Sequence, residues 1–285
     1  MKTYSLSALN TISANIREDI ISMLLAAGSG HSAGPLGMAD VFTALYFCVL
    51  NHAPRKPSWD NRDRLVLSCG HLAPLLYATL ARAGYFPKKE LKTLRKLGSL
   101  LQGHPHNTLP GVETSTGPLG QGISVAVGMS LGAALLKRSY QVYCVMSDAE
   151  QQEGQTWEAV MFAGKNRCAN LTAIIDRNNI QIDGYVENVM PLEPLRKKYE
   201  AFNWHVIEVD GHNIRQVIDA CNTAKAISEK PVLILCHTIP GKGVDFMEFS
   251  PAWHGKTPTA EEARRAHRDL HRLRTLNGKI ISEHE

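Results

Sequence analysis

The fold is decided by residues 142–180, which read VYCVMSDAEQQEGQTWEAVMFAGKNRCANLTAIIDRNNI. Two short apolar runs in this stretch, Val142–Met146 and Leu171–Ile175, have the length and composition of buried strands. Between them, Gln155–Asn166 has the length and the apolar spacing of a helix. A strand, a helix and a second strand in this order predict a parallel β-α-β unit.

The same alternation continues on both sides of this unit. Further strands are predicted at Arg64–Ser68, His205–Val209 and Val232–Cys236, and further helices at Leu6–Ala27, Met38–Leu50, Ala73–Ala83, Lys88–Leu97, Leu119–Leu136 and Ile214–Ser228. This alternation favours a doubly wound α/β fold, in which helices cover both faces of a mainly parallel sheet. We predict that residues 1–258 form this domain and that residues 259–285 form a basic C-terminal helix and tail on its outside.

The composition excludes several classes of protein. The net charge is only +4, and the basic clusters Lys88–Lys96 and Arg264–Arg274 are typical of solvated helix faces. No stretch reaches the roughly 18 apolar residues of a membrane span, and the first ten residues lack the apolar core of a signal peptide. The six cysteines are scattered and form no C-x-x-C pair. We therefore expect a cytoplasmic protein with no nucleic-acid or membrane partner.

Polar residues follow the two central strands where each ends. Ser147–Gly154 follows the first strand, and Asp176–Ile180 follows the second. Because the carboxyl ends of neighbouring parallel strands form the usual ligand site of α/β proteins, Asp148 and Asn178 can converge on one hard cation, which prefers oxygen ligands. A second interpretation stays open at this point: Asp148 caps a helix, and Asn178 with Asn179 forms a turn.

Six segments, in this order, resemble the amino-terminal domain of transketolases. They are SGHSAGPLGMAD (29–40), RLVLSCGHLAPLLYATL (64–80), QGHPHNTLPGVETSTGPLGQGI (102–123), QEG (152–154), NNIQIDG (178–184) and AWHGKTP (252–258). The related deoxyxylulose phosphate synthases share the histidine-rich start and the metal loop, but SGHSAGPLGMA and GPLGQGI are more similar to transketolase. Neither the Rossmann G-x-G-x-x-G nor the Walker G-x-x-x-x-G-K-[ST] pattern occurs. The resemblance covers nearly the whole chain and implies a fold that binds thiamine diphosphate.

The resemblance assigns residues to the diphosphate end of this cofactor. It implies that Asp148, the Asn178 side chain and the Ile180 backbone carbonyl bind Mg²⁺, with Ca²⁺ as an alternative, together with the diphosphate. His71 and His254 match the histidines that donate hydrogen bonds to the diphosphate.

Other matched positions concern the reactive end of the cofactor. His31 and His104 match histidines that face the thiazolium and the first hydroxyls of the sugar, where a group with a pKa of about 6.5 exchanges protons, and His254 is expected to assist them. Gly117 and Leu119 match positions whose backbone meets the aminopyrimidine, which glycine permits by its small size.

Two residues after Asp148 complete the implied site. Glu153 matches a carboxylate that links paired active sites, although a glutamate in the first turn of a helix also suits the helix dipole. Ala149 is expected to donate its amide to the diphosphate, but the family has glycine at this position. If Ala149 adopted a positive φ, the strain would weaken cofactor binding about tenfold.

The implied function is transfer of a two-carbon ketol unit from a ketose, or its phosphate, to an aldose. The chain matches only the first domain of a transketolase. The pyrimidine-binding domain, which carries the glutamate that activates the cofactor, is expected on a separate C-terminal subunit, in an α2β2 heterotetramer that is active only when both chains are present. Two alternatives stay open: a non-catalytic, cofactor-binding or regulatory paralogue, and a transketolase specialised for an unusual ketose.

Overall fold

A five-stranded parallel sheet forms the centre of the computed structural model, which describes residues 4–282. In chain order the strands are β1 (Arg64–Leu67), β2 (Val142–Ser147), β3 (Leu171–Arg177), the short hairpin strands β4 (Ile180–Gln181) and β5 (Gly184–Tyr185), β6 (His205–Asp210) and β7 (Val232–His237). The sheet has the order β1-β2-β3-β7-β6. The predicted parallel sheet is therefore confirmed.

Helices cover both faces of this sheet. They are α1 (Leu6–Ala27), α2 (Ala33–Gly37), α3 (Ala39–Ala44), α4 (Ala73–Ala83), α5 (Gln121–Leu135), α6 (Gly154–Lys165), α7 (Val186–Val189), α8 (Leu195–Ala201), α9 (Ile214–Ala226) and α10 (Ala260–Ser282). One apolar layer joins α1, α3, α4 and α9 to the sheet, and a second layer joins α5, α6 and α8 to the opposite face. Along β2, Tyr143 and Val145 enter the first layer, and Cys144 and Met146 enter the second, as the period of two in a strand requires.

The order of the strands creates a crevice at one edge of the sheet. Helix α6 connects β2 to β3 on one face, whereas α9 connects β6 to β7 on the other face. Strands β3 and β7 are hydrogen-bonded neighbours, with Asp176 opposite Cys236. Because the chain leaves these neighbours toward opposite faces, the loops beyond their carboxyl ends separate, which is where doubly wound proteins bind ligands.

Several predicted elements differ from the structure in detail. The helix predicted at Met38–Leu50 is α3 followed by a π-helical turn, Leu45–Val49. The helix predicted at Lys88–Leu97 is a 3₁₀ helix that ends at Thr93, because only Leu91 and Leu94 in this segment are buried and Arg95 turns the chain with a φ of 60°. The short helices α2, α7 and α8 and the hairpin were not predicted.

The last helix is amphipathic rather than wholly external. Helix α10 packs along α1, and its Ala263, Ala266 and Leu270 are buried in the first apolar layer. The division of the chain at residue 258 stays a prediction, and the final three residues of the predicted tail lie outside the described residues. Within residues 4–282, no helix is long and apolar enough to cross a membrane.

Candidate active site

Asp148 lies directly after β2 and is fully buried. Its carboxylate accepts hydrogen bonds from the backbone amides of Ala149 at 2.8 Å and Asn179 at 2.6 Å, and it forms an ion pair with Arg177 at 3.0 Å. Burial raises the pKa of Asp148 to about 6, against the opposing effect of Arg177. The carboxylate is thus fixed at the carboxyl end of the sheet, as the motif predicted.

Asn178 lies beyond the neighbouring strand and is also buried. Its amide nitrogen donates to Asp176 at 2.7 Å, and its side-chain oxygen accepts from the Ile180 amide at 3.0 Å. Asp176 accepts a second hydrogen bond from the Thr238 hydroxyl, and burial raises its pKa to about 7. The turn that follows depends on Asn179, which has a φ of 59°, a conformation that asparagine tolerates better than most residues.

Three histidines from distant segments form a triangle beside these strand ends. The ring centroids of His31 and His71 lie 5.2 Å apart, those of His31 and His254 5.5 Å, and those of His71 and His254 5.2 Å. Burial and mutual repulsion lower the pKa of His31 to about 4 and that of His71 well below its usual value. Burial also lowers the pKa of His254. All three imidazoles are therefore neutral at pH 7.

His104 borders the triangle and is more exposed. Its ring packs against Gly117 and Gly70. The space is tight, since a Cβ atom on Gly70 would lie 3.0 Å from the His104 ring and 3.0 Å from the Gly117 amide nitrogen. Glycine at position 70 thus lets the His71 loop approach the loop before α5. Partial burial and the positive charge of Arg95 lower the pKa of His104.

These residues surround one cavity of about 330 Å³. Asp148, between the lining residues Ser147 and Ala149, is the one residue predicted for the site that does not line the cavity. The predicted residues that do line it are His31, His71, His104, Gly117, Leu119, Ala149, Glu153, Asn178, Ile180 and His254. Four lining residues had not been predicted: Ser147, Gln152, Gln181 and Ile182. The motifs therefore come together although they are far apart in the sequence.

Two unpaired buried polar atoms belong to residues that line this cavity. Among the described residues, the buried side-chain atoms without a hydrogen-bond partner are Thr116 Oγ1, Tyr143 Oη, Gln181 Oε1 and His254 Nδ1. Gln181 and His254 line the cavity, and Thr116 precedes Gly117. Since buried polar groups are nearly always paired, the Nδ1 of His254 and the hydroxyl of Thr116 fit a ligand with acceptor oxygens, such as a diphosphate, whereas Gln181 Oε1 can only accept and would need a donor.

The strand ends also fit a hard cation. They offer only oxygen ligands: the carboxylate of Asp148, the side-chain oxygen of Asn178 and the backbone carbonyl of Ile180. No group of three or more histidine, cysteine, aspartate or glutamate residues with metal-binding geometry occurs in the part of the chain that the structure describes. A cation here would therefore need the diphosphate oxygens to complete its shell.

Ala149 carries none of the backbone strain that a positive φ would impose. It begins a 3₁₀ helix, Ala149–Gln152, and it is not among the described non-glycine residues with a positive φ. The amide of Ala149 donates to Asp148, and its backbone is not left-handed, so the expected tenfold weakening does not follow from this backbone. Glu153 follows the 3₁₀ helix and precedes α6 without a side-chain capping bond.

Glu150 supports the loops of the site, a role that the sequence did not indicate. This buried carboxylate accepts from the Ser68 hydroxyl, from the Gly120 amide at 2.7 Å and from the Ser147 amide at 3.2 Å. It therefore ties the end of β1 and the start of α5 to the loop after β2. Burial raises the pKa of Glu150 to about 7. Its position in an acidic run gave no signal, because only the fold shows that it points inward.

Comparisons with known proteins identify the family. The model of the transketolase thiamine diphosphate binding domain matches residues 9–272. A solved transketolase mutant from Pichia stipitis superposes with a TM-score of 0.88 at 34% identity, covering 94% of this chain and 41% of the solved chain. The chain belongs to the transketolase family and represents its thiamine diphosphate binding domain.

Two relatives have nearly the same length as this chain. The 6-deoxy-6-sulfo-D-fructose transketolase subunit of Clostridium sp. (strain MSTE9) is 46% identical over 82% of this chain and 86% of its own length. An apulose-4-phosphate transketolase subunit of Phocaeicola vulgatus is 41% identical over 89% of this chain and 90% of its own length. By contrast, the matched part of human transketolase is 40% of that protein. The predicted family and the predicted class, one subunit of a transketolase divided between two chains, are confirmed.

Proposed function

We propose that this chain binds the diphosphate of thiamine diphosphate through Mg²⁺ and, with a C-terminal subunit, transfers a two-carbon ketol unit between sugars. The unpaired Nδ1 of His254, buried in the wall of a cavity that also presents Asn178 and Ile180, supports this proposal most directly. When bound, the cofactor supplies the nucleophilic carbon that attacks the ketose carbonyl. The protein supplies binding, orientation and proton transfer.

The diphosphate end requires charge compensation by a cation. The described lining of the cavity contains neutral histidines and no lysine or arginine. Asp148, Asn178 and the Ile180 carbonyl would hold Mg²⁺, or Ca²⁺ in its place, and the metal would offset the charge of the diphosphate. His71 and His254 would add hydrogen bonds, and the Ala149 amide, which donates to Asp148 at 2.8 Å, would have to exchange that partner for a phosphate oxygen to do the same.

The histidines on the sugar side are suited to accept protons. His31 and His104 have lowered pKa values and are neutral at pH 7, so each ring has one nitrogen that can take a proton from a sugar hydroxyl. Gly117 and Leu119 would leave backbone groups open to the aminopyrimidine, with Glu153 at the edge of the same wall.

A second subunit is needed to complete this site. The two relatives of similar length are each named as one subunit of a transketolase. We propose an α2β2 heterotetramer in the cytoplasm, in which the partner carries the pyrimidine-binding domain and closes the exposed side of the cavity. Two exposed apolar residues are suited to such a contact: Ile182, which lines the cavity, and Met190, whose carbonyl accepts from the cavity residue Gln152.

Mixing the two subunits tests this function. This chain and a transketolase C-terminal subunit from the same source would be purified separately and assayed with thiamine diphosphate, Mg²⁺, a ketose donor and an aldose acceptor. Ketol transfer should arise only in the mixture and should disappear with Asp148→Ala, while Asp219→Ala, which changes an exposed aspartate on α9, should retain it. A mixture without activity would refute the proposal.

An unusual ketose is the second candidate substrate. The names of the two similar-length relatives specify a sulfonated ketose and apulose 4-phosphate. A panel of neutral, phosphorylated and sulfonated ketoses, ranked by kcat/KM, would decide between a general and a specialised transketolase. The non-catalytic alternative gains no support, because all four histidines remain at the cavity.

A further inference from the structure

Residues 178–193, which connect β3 to α8, carry two of the three candidate metal ligands on a weakly packed segment. Asn178 and the Ile180 carbonyl belong to it. Most of its side chains are exposed or half-buried, and its buried apolar side chains are Ile180, Val186 and Leu192. Because few buried apolar contacts give a segment low local stability, its position next to Asp148 needs further contacts.

Arg177, the last residue of β3, supplies such contacts. Its side chain is nearly buried, and its two terminal nitrogens bind three carboxylates. Nη1 donates to Asp148 at 3.0 Å, whereas Nη2 donates to Glu187 at 2.6 Å and to Glu193 at 3.1 Å. One side chain thus joins a candidate metal ligand to two points of the segment.

Both glutamates extend this restraint to the backbone. Glu187 also accepts from the Leu192 amide at 3.2 Å, and Glu193 accepts from the Leu195 amide at 2.8 Å, at the start of α8. The Glu187 amide in turn donates to the Asn179 side chain at 3.2 Å. The segment is thereby closed on itself and tied to α8 around one guanidinium group.

The same guanidinium group orients Asp148. Oδ2 of Asp148 accepts from both Arg177 and the Asn179 amide, whereas Oδ1 accepts from the Ala149 amide. Because a carboxylate oxygen has two lone pairs, Oδ1 keeps one for a cation. Three carboxylates surround one guanidinium group, so the cluster keeps a net negative charge that attracts a divalent cation.

We infer that Arg177 is a positioning residue that holds residues 178–193 against Asp148 and so forms the metal site before the cofactor binds. This inference rests on the proposed function and adds the residue that pre-organises its metal site. A site that is open part of the time binds its ligand more weakly, in proportion to the fraction that is closed. A guanidinium group suits this task because its rigid fork of donors binds several carboxylates in a fixed geometry.

Hydrogen exchange of the cofactor-free chain tests this restraint without any catalysis. In Arg177→Met, the amides of residues 179–192 should exchange at least about tenfold faster than in the wild type, whereas those of α9 should not change. Glu187→Gln leaves Asp148 paired with Arg177 and should produce a smaller increase in the same residues. This second variant decides the question if Arg177→Met does not fold.

Titration of the assembled two-subunit enzyme with thiamine diphosphate and Mg²⁺ tests the consequence for the site. In Arg177→Met, the Kd should rise about tenfold, while kcat at saturating cofactor stays within about twofold, because Asn178 and Ile180 are then held by the bound metal. Arg177→Lys should recover part of the affinity. Arg196→Met is the matched control and should behave as the wild type in both experiments, since Arg196 on α8 is also paired with two glutamates.

Two results would overturn the inference. One is unchanged exchange of residues 179–192 in Arg177→Met and Glu187→Gln, or an equal change in Arg196→Met. The other is a fall in kcat at saturating cofactor with an unchanged Kd, which would place Arg177 in a later step. A wild-type assembly that does not bind thiamine diphosphate would refute the proposed function, whereas the exchange of the cofactor-free chain would still decide whether Arg177 holds the segment.

Discussion

Glu150→Gln should change how the stability of this chain depends on pH. Burial raises the pKa of Glu150 from 4.5 to about 7, so the native state binds this proton more tightly than the unfolded state does. This contribution to stability is fully present below pH 4.5 and is lost as the pH rises through about 7. A difference of about 2.5 pKa units corresponds to roughly 3 kcal/mol of unfolding free energy. Glutamine cannot ionise and removes this dependence.

The measurement is urea unfolding of the cofactor-free chain at pH 4 to 8.5, followed by tryptophan fluorescence. The amide oxygen of glutamine can still accept from Ser68 and Gly120, but the amide nitrogen replaces the oxygen that accepts from Ser147, at a cost of about 1 kcal/mol or more. Subtracting the unfolding free energy of the variant from that of the wild type at each pH isolates the contribution of Glu150 from that of other buried acids, such as Asp176.

From the acidic to the alkaline end of this range, the unfolding free energy of Glu150→Gln should rise by about 3 kcal/mol relative to that of the wild type. Glu158→Gln, an exposed glutamate on α6, serves as the matched control and should show no such movement. A constant gap between wild type and Glu150→Gln across the whole range would refute the reasoning, because it would mean that the carboxyl group titrates alike in both states.

Three further predictions concern single positions. Gly122→Ala should lower the unfolding free energy by about 1 to 3 kcal/mol, because its Cβ would lie 2.5 Å from the Ser68 side chain. Gly128→Ala in the same helix meets nothing within 4 Å and should raise the unfolding free energy by about 0.5 to 1 kcal/mol. Equal unfolding midpoints for the two variants would contradict this. Ala149→Gly should leave the Kd for thiamine diphosphate within about threefold, since Ala149 is not left-handed; a tenfold gain by calorimetry would show strain. The pKa of His31 is lowered to about 4, so the chain should lose stability as the pH falls from about 6.5 toward 4, and His31→Asn should make that loss shallower in acid unfolding. Identical acid profiles would contradict this, because they would show that His31 has the same pKa in the folded and unfolded states.

The sequence predicted the framework well because the strands are buried on both faces. Val142–Met146 and Leu171–Ile175 are continuous apolar runs, and both are strands within one or two residues of the predicted bounds. Helices that bury few residues were not predicted, because burial is what creates the apolar pattern. Helix α8 buries only Leu195 and Tyr199 among charged neighbours, so its apolar spacing is too sparse to detect.

The residues of the candidate site were predicted from motifs, whereas the residues that hold its loops in place became evident only from the fold. The loops that carry His31, His71, Asn178 and His254 meet in one cavity, as the resemblance implied. Glu150 was not predicted, since nothing in a local sequence shows which acid of an acidic run points into the interior.

Metal-dependent binding of thiamine diphosphate tests the central claim most directly. The assembled enzyme would be titrated with thiamine diphosphate by calorimetry, with Mg²⁺ and with a chelator, for wild type, Asp148→Asn and Asp219→Asn, a control at an exposed aspartate on α9. We expect saturable binding that requires Mg²⁺, is weakened at least tenfold in Asp148→Asn, and is unchanged in Asp219→Asn. Equal binding with and without Mg²⁺, or wild-type affinity in Asp148→Asn, would contradict the claim that this cavity anchors the diphosphate through a metal.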